Sequence, residues 1–169
     1  MCIMESSSDL LARDFATLPA LVKAFAQERP DDPAVADPDG RMSWRTLDDL
    51  ADRIAARLQQ DGLGLGGATA IAGLNSANQV AVLIGTLRAG AIAGLITSTA
   101  TGEQMAAMIV DSGARHLFLD EKAAESLAGQ SYGTLDHISM DDGAGGTPLS
   151  AWMAADGTVP APVEITPET

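Results

Sequence analysis

From Thr69 to Leu127 the chain alternates apolar runs of strand length with amphipathic runs of helical spacing, joined by short connections. This alternation restricts the fold more than any other feature of the sequence. Thr69 to Leu74 is a mostly apolar run ended by Asn75-Ser76, and Ala77 to Arg88 then sets Val80, Leu83, Ile84 and Leu87 on one helical face. Ala91 to Ile96 is a second apolar strand. Thr101-Gly102-Glu103-Gln104 offers a capping box to a helix with Met105, Met108 and Ile109 on its buried face, and Gly113 suits the stop. Arg115 to Leu119 reads as a strand, Glu121 to Leu127 as a short helix, and Asp136 to Ser139 as a last short strand. Strands and helices in that order imply right-handed βαβ crossovers, so the expected class is α/β with a largely parallel sheet flanked by helices.

The part before this repeats the logic less regularly. Residues 1–17 form a polar lead. Leu18, Leu21, Val22 and Phe25 have helical spacing up to Glu28, and Pro30 ends the helix because the residue before a proline is pushed out of the α region. Pro33 to Ala36, the turn Asp37-Pro38-Asp39-Gly40 and Arg41 to Trp44 read as a hairpin. Ser43 is a plausible N-cap for a helix whose stripe is Leu47, Leu50, Ala51, Ile54, Ala55 and Leu58, broken by Gly62 to Gly67. After Asp156 the chain carries Pro160, Pro162 and Pro167 and reads as a linker, giving a body over 18–155 and a tail over 156–169.

Charge excludes several functions. Ten Lys+Arg against 23 Asp+Glu give −13, a surface that repels nucleic acid and anionic membrane. It also does little to attract the phosphates of ATP or CoA. Cys2 is the only cysteine, so an internal disulfide and a thiolate metal cluster are both excluded. The first residues lack a basic segment followed by an apolar run, and no stretch reaches the ~18 unbroken apolar residues of a membrane helix. The chain reads as cytoplasmic.

Four motifs invite chemistry and fail on context. Gly62-Leu63-Gly64-Leu65-Gly66-Gly67 satisfies G-x-G-x-x-G, yet a helix precedes it and a strand follows, the reverse of a dinucleotide fingerprint. Gly129-Gln130-Ser131-Tyr132-Gly133 satisfies G-x-S-x-G, but again a helix precedes and a strand follows. Thr97-Ser98-Thr99-Ala100-Thr101-Gly102 has one glycine, no lysine and Glu103 behind it, which suits a capped connection better than a phosphate loop. His116 and His137 have no metal-ligating neighbours at suitable spacing, and Met105 and Met108 read as core. No catalytic, cofactor-binding or metal-ligating residue is expected in this chain.

Several ordered segments carry a resemblance. Glu28-Arg29-Pro30-Asp31-Asp32-Pro33-Ala34-Val35 and Met42-Ser43-Trp44-Arg45-Thr46-Leu47 come first. Ala70-Ile71-Ala72-Gly73-Leu74-Asn75-Ser76, Gly85-Thr86-Leu87-Arg88-Ala89-Gly90-Ala91 and Asp111-Ser112-Gly113-Ala114-Arg115 follow in order. Together, across roughly Leu18 to Leu127, they resemble the opening of the adenylate-forming superfamily, in particular AMP-forming acyl- or aryl-CoA synthetases. Two departures stand out. The family's Thr/Ser-Tyr-x-Glu helix start is here Ser43-Trp44-Arg45-Thr46, and Leu95 stands where a proline is usual.

The resemblance implies an N-terminal subdomain of an enzyme that joins a carboxylic acid to CoA through an acyl-adenylate, with ATP, Mg2+ and CoA as substrates of the full-length protein. It places the glycine- and threonine-rich phosphate loop, the adenine pocket and the mobile C-terminal domain after a segment such as Ile165 to Thr169, outside this chain. This piece is then expected to bind none of the three alone. Its partner would be the rest of the same polypeptide, met through an exposed apolar face. The Asp111 to Arg115 junction looks like that of stand-alone ligases, which favours CoA as acceptor. An amino-acid-activating adenylation domain is the nearest alternative. From another class, a small non-catalytic α/β ligand-binding domain of flavodoxin or receiver type is an alternative, although the strand ends carry Asn75 and Thr97 where a receiver needs an acidic cluster, and a non-catalytic interaction module, suggested by the acidic surface and the proline-rich tail, is a third.

Overall fold

A computed structural model describes residues 6–141 and 143–167. Its elements run α1 (Ser7–Leu11), α2 (Leu18–Glu28), β1 (Pro33–Asp37), β2 (Gly40–Ser43), α3 (Trp44–Gln60), β3 (Ala68–Ala72) and α4 (Ala77–Arg88). There follow β4 (Ile92–Ile96), α5 (Gly102–Ser112), β5 (His116–Leu119), α6 (Glu121–Leu127), β6 (Asp136–Ser139), β7 (Thr147–Pro148) and α7 (Leu149–Trp152). The sole cysteine, Cys2, and the end of the proline-rich tail, Glu168 and Thr169, lie outside the described residues.

The sheet is five-stranded, in the order β4-β3-β5-β6-β7, and every pairing in it is parallel. The expected α/β class is what the chain adopts. Strands β3 and β5 are buried along their whole length, as interior strands of a parallel sheet must be. One face of the sheet, with Ile71, Phe118 and Ile138, packs under α3, α4 and Trp152. The other, with Ala70, Ala72, Leu117 and Leu119, packs under α5 and α6. Alanines make up much of both interiors, which brings helices close to strands.

Local signals fixed most helix ends. The Ser43 hydroxyl accepts the Thr46 N–H at 3.3 Å, and the Ser76 hydroxyl accepts the Gln79 N–H at 3.2 Å. Thr101 and Gln104 close a reciprocal box, and Gly113 ends α5 in the left-handed conformation at φ 62°. Three elements were not anticipated. The polar lead contains α1, whose Ser6–Asp9 capping box is a local signal overlooked among the serines, and Ser7 is tied to the Glu28 carboxylate at 2.7 and 2.6 Å. Strand β6 is not the last, because β7 and α7 follow it. Both are too short to show periodicity, and Trp152 is placed by edge contacts to Phe118 and His116 at 5.2 and 5.7 Å.

Helix α4 lies against α3 at very short range. A Cβ on Gly85 would stand 2.6 Å from Ile54 Cγ2 and 3.2 Å from the Ala51 carbonyl oxygen, so only glycine permits this approach. Arg88 then locks it. Its guanidinium donates to Asp52 and Asp48 at 2.7 Å each, to the Asp48 carbonyl at 2.9 Å and to the Pro19 carbonyl at 3.3 Å, joining α2, α3 and α4. With 9% of its side chain exposed, Arg88 is more than a charge favouring a helix end. The hairpin β1–β2 is fastened by Asp37, whose carboxylate accepts the Ala77 N–H at 2.8 Å and the turn amides of Asp39 and Gly40 at 3.0 Å each.

The Ala77 N–H is the main force holding the Asp37 carboxyl below its ordinary range; desolvation opposes it, and the turn amides add to the lowering. A depressed carboxyl contributes stability at pH above its unfolded value and loses it as pH falls through the folded one. Protection of the Ala77 and Gly40 amides, taken against the intrinsic exchange rate at each pH, is therefore expected to fall as pH drops below 3.8, and in Asp37→Ala to be low at neutral pH already. Rates that match wild type at neutral pH would show that the carboxylate holds nothing. The Gly85→Ala substitution should destabilise by about 1–3 kcal/mol through overpacking. In an Ile54→Ala background that cost should shrink, a coupling that chemical denaturation of the four-protein cycle reads directly.

Candidate functional site

Ligands of open parallel sheets bind beyond the carboxyl ends of the strands, and that edge carries the main cleft among the described residues, about 730 Å³. Its walls come from the hairpin turn (Asp37 to Met42), the segment after β3 (Leu74 to Asn78), Asp120 after β5, Ser139 to Asp141 at the end of β6, and α7 with its neighbours Pro148 and Met153.

Three aspartates organise this edge, and each is occupied. Asp120 accepts the Leu74 N–H at 2.6 Å and the Ala123 N–H at 2.8 Å, capping α6 while pinning the end of β3. That approach needs Gly73, where a Cβ would lie 2.7 Å from the Asp120 carboxyl carbon. Asp141 accepts the N–H groups of Glu121 at 2.9 Å, Gly143 at 3.1 Å and Ala144 at 3.0 Å. Asp37 serves the hairpin turn and Ala77 as above. Asn78 donates to the Met140 carbonyl at 2.7 Å, tying α4 to the end of β6.

The strand ends thus carry aspartates after all, at Asp120 and Asp141, in addition to Asn75 and Thr97. The signal was local: Asp120 stands directly before a helix, where a cap is expected. Their oxygens hold backbone amides. Among the described residues that line the cleft, Arg41 is the one cation beside four aspartates, Asp37, Asp39, Asp120 and Asp141, so the local charge opposes a triphosphate. Among the described residues, no histidine or lysine lines it. Among the described residues no group of three or more His, Cys, Asp or Glu is placed to hold a metal ion.

The four doubtful motifs are scattered. The glycines 62–67 turn from α3 into β3 at the opposite edge of the sheet, with Gly62 and Gly66 at φ 76° and 78°. The Gly129 to Gly133 loop follows α6, and its Tyr132 stacks on His137 with ring centres 5.7 Å apart. The 97–102 loop does lie at the carboxyl edge. There Thr97 and Thr99 bond each other at 2.9 Å, Thr101 caps α5, and a Cβ on Gly102 would overlap the Ser126 carbonyl. That glycine serves packing against α6. His116, on the amino edge, is buried and its Nε2 lies 3.1 Å from Asp61.

Comparison with known proteins places the chain in a family. The family described as AMP-binding enzyme matches residues 22–167. Surfactin synthase subunit 2 of Bacillus subtilis (strain 168) is 31% identical over 128 residues, which are 76% of this chain and 4% of that protein. The fatty acid–[acyl-carrier-protein] ligase ScoC of Streptomyces coeruleorubidus is 27% identical over 157 residues, 90% of this chain and 29% of that protein. Among solved structures, a Rhodopseudomonas palustris protein named provisionally as a long-chain fatty-acid CoA ligase superposes with a TM-score of 0.78 at 22% identity, covering 89% of this chain and 39% of the other. This chain therefore spans well under half the length of each. With a family match over nearly its whole length and a fold shared with CoA ligases, the chain belongs to the AMP-binding enzymes, as an N-terminal subdomain of the adenylate-forming superfamily.

Proposed function

We propose that this chain is the N-terminal framework of an ATP-dependent carboxylic acid–CoA ligase, and that it is inactive by itself. In the full-length enzyme a substrate carboxylate oxygen attacks the α-phosphorus of ATP, forming the acyl-adenylate and releasing pyrophosphate. The thiol of CoA then attacks the acyl carbon, forms the thioester and releases AMP. The observation that carries this reading is the family match over residues 22–167, joined to a carboxyl-edge cleft lined by four aspartates and one arginine.

What these residues contribute is position. Asp37, Asp120 and Asp141 hold the hairpin, the end of β3 and the start of α6 around one opening. The carboxylates present do not suit a magnesium ion, because their oxygens already accept amide protons, and no step is assigned to a metal here. Residues 1–17 form a lead, 18–155 the subdomain body, and 156–169 the route toward the ATP-binding part. No described helix is long and apolar enough to cross a membrane. The cytoplasm, where ATP and CoA are available, is the proposed compartment.

A second reading keeps the adenylate and changes the acceptor. The ScoC relative, named a fatty acid–[acyl-carrier-protein] ligase, favours a carrier-protein thiol as acceptor, and the activated group is then a fatty acid or an amino acid. Pyrophosphate exchange into ATP by the full-length protein, run over aliphatic, aromatic and amino acids, tests the first step. Exchange with at least one carboxylic acid is expected, and thioester formation with free CoA is expected to follow. Transfer to a carrier domain but never to CoA would select the second reading. No exchange with any acid class would end both.

A further inference from the structure

Helix α1 has five residues, too few to persist in water without something to dock on. It docks on the far end of α2. The Ser7 N–H donates to one oxygen of the Glu28 carboxylate at 2.7 Å, and the Ser7 hydroxyl donates to the other at 2.6 Å. Glu28 is the last residue of α2, at the negative end of a helix, where a carboxylate is out of place unless it has donors of its own. Ser7 supplies two of them from 21 residues away. Leu10 is the one apolar side chain that α1 buries. Because Leu18 starts α2 and Ser7 meets its end, residues 7–18 run back along the whole helix.

Helix α2 does not need this cover. Val22 fixes it to the core, Phe25 packs on Trp44 with ring centres 4.7 Å apart, and Arg88 reaches the Pro19 carbonyl. Leu10, by contrast, belongs to neither of the two core clusters. The contacts that hold α1 and those that hold α2 are therefore separate sets. We infer that α1 is a detachable clasp: the Glu28 carboxylate closes it, and when that carboxylate lets go, α1 melts while α2 and the sheet stay folded. Melting frees Leu10 beside Leu11, Phe15 and Leu18, which are exposed already, and turns the lead into an apolar arm.

Acid is one way to open it. The Ser7 hydroxyl, and then the Ser7 N–H, hold the Glu28 carboxyl below its ordinary range; desolvation opposes them, Arg29 adds to the lowering and Asp9 works against it. The Asp9 carboxyl is lowered too, first by the Ser6 hydroxyl and then by the Ser6 N–H, against desolvation and with Arg13 adding to it. Both groups are depressed. Each therefore stabilises the closed clasp fully above its ordinary value, and that stability is lost as pH falls through the folded one.

The test is NMR of the whole 169-residue chain, with Cα chemical shifts over residues 7–11 reporting α1 and amide protection in α3 and α4 reporting the body. Wild type at neutral pH should show helical shifts over 7–11. Glu28→Gln, which keeps the shape and removes the charge, should bring them to random-coil values while protection in α3 and α4 stays within about twofold of wild type. Acidifying wild type below 4.5 should do the same. Ser7→Ala, which removes the hydroxyl donor, should shift that opening to higher pH. Helical shifts that persist in Glu28→Gln would show that Leu10 holds α1 without the carboxylate, and would overturn the inference. So would a loss of α3 and α4 protection together with α1, because the clasp would then belong to the body's own cooperative unit.

Discussion

The contact between α3 and α4 sets the geometry of the rest. Gly85 brings the two helices to a distance no side chain would permit, and Arg88 closes the far end by binding Asp48 and Asp52 while reaching the start of α2. Burying a guanidinium with two carboxylates is favourable only when all three are well paired. Here the four donor contacts meet that condition. The buried Thr69–Thr86 hydroxyl pair, 3.2 Å apart, then registers α4 on β3. With α4 fixed, its first turn stands at the carboxyl edge, where Asp37 and Asn78 draw in the hairpin and the end of β6.

The same pairing accounts for the carboxylates at the carboxyl edge of the sheet. Carboxylates that accept two or three amide protons keep loops and helix starts in place, and they have little left for a substrate. An acyl-adenylate enzyme handles several phosphate charges, so the groups that grip them must be cationic or amide donors. Among the described residues lining the cleft, Arg41 is the only cation beside four carboxylates. The likeness to a surfactin synthase subunit and to a carrier-protein ligase alike fits a scaffold common to the family.

Much of the fold was legible because its signals are short-range. Ser43, Ser76, Thr101 with Gln104, and Gly113 each act within four residues of their own position, so helix limits could be read to within a residue or two. The apolar runs of β3, β4 and β5 were long enough to show, and the resemblance carried the family. What escaped depends on distance along the chain. Arg88 finds its partners 36 and 40 residues away, and Gln59 binds a backbone 102 residues away. Asp120 serves an amide 46 residues back, and Trp152 is buried by rings on a strand it does not belong to. No periodicity announces such pairs. Helix α1 is different, since Ser6 and Asp9 were a visible cap passed over in a serine-rich lead.

The central claim is that the residues of this chain form framework while triphosphate recognition belongs to polypeptide beyond it. Titration of residues 1–169 with ATP and Mg2+ in a calorimeter examines it most directly. The account predicts no saturable heat up to millimolar nucleotide, from a piece shown by circular dichroism to be folded. Saturable binding in the micromolar range by that same folded piece would contradict it.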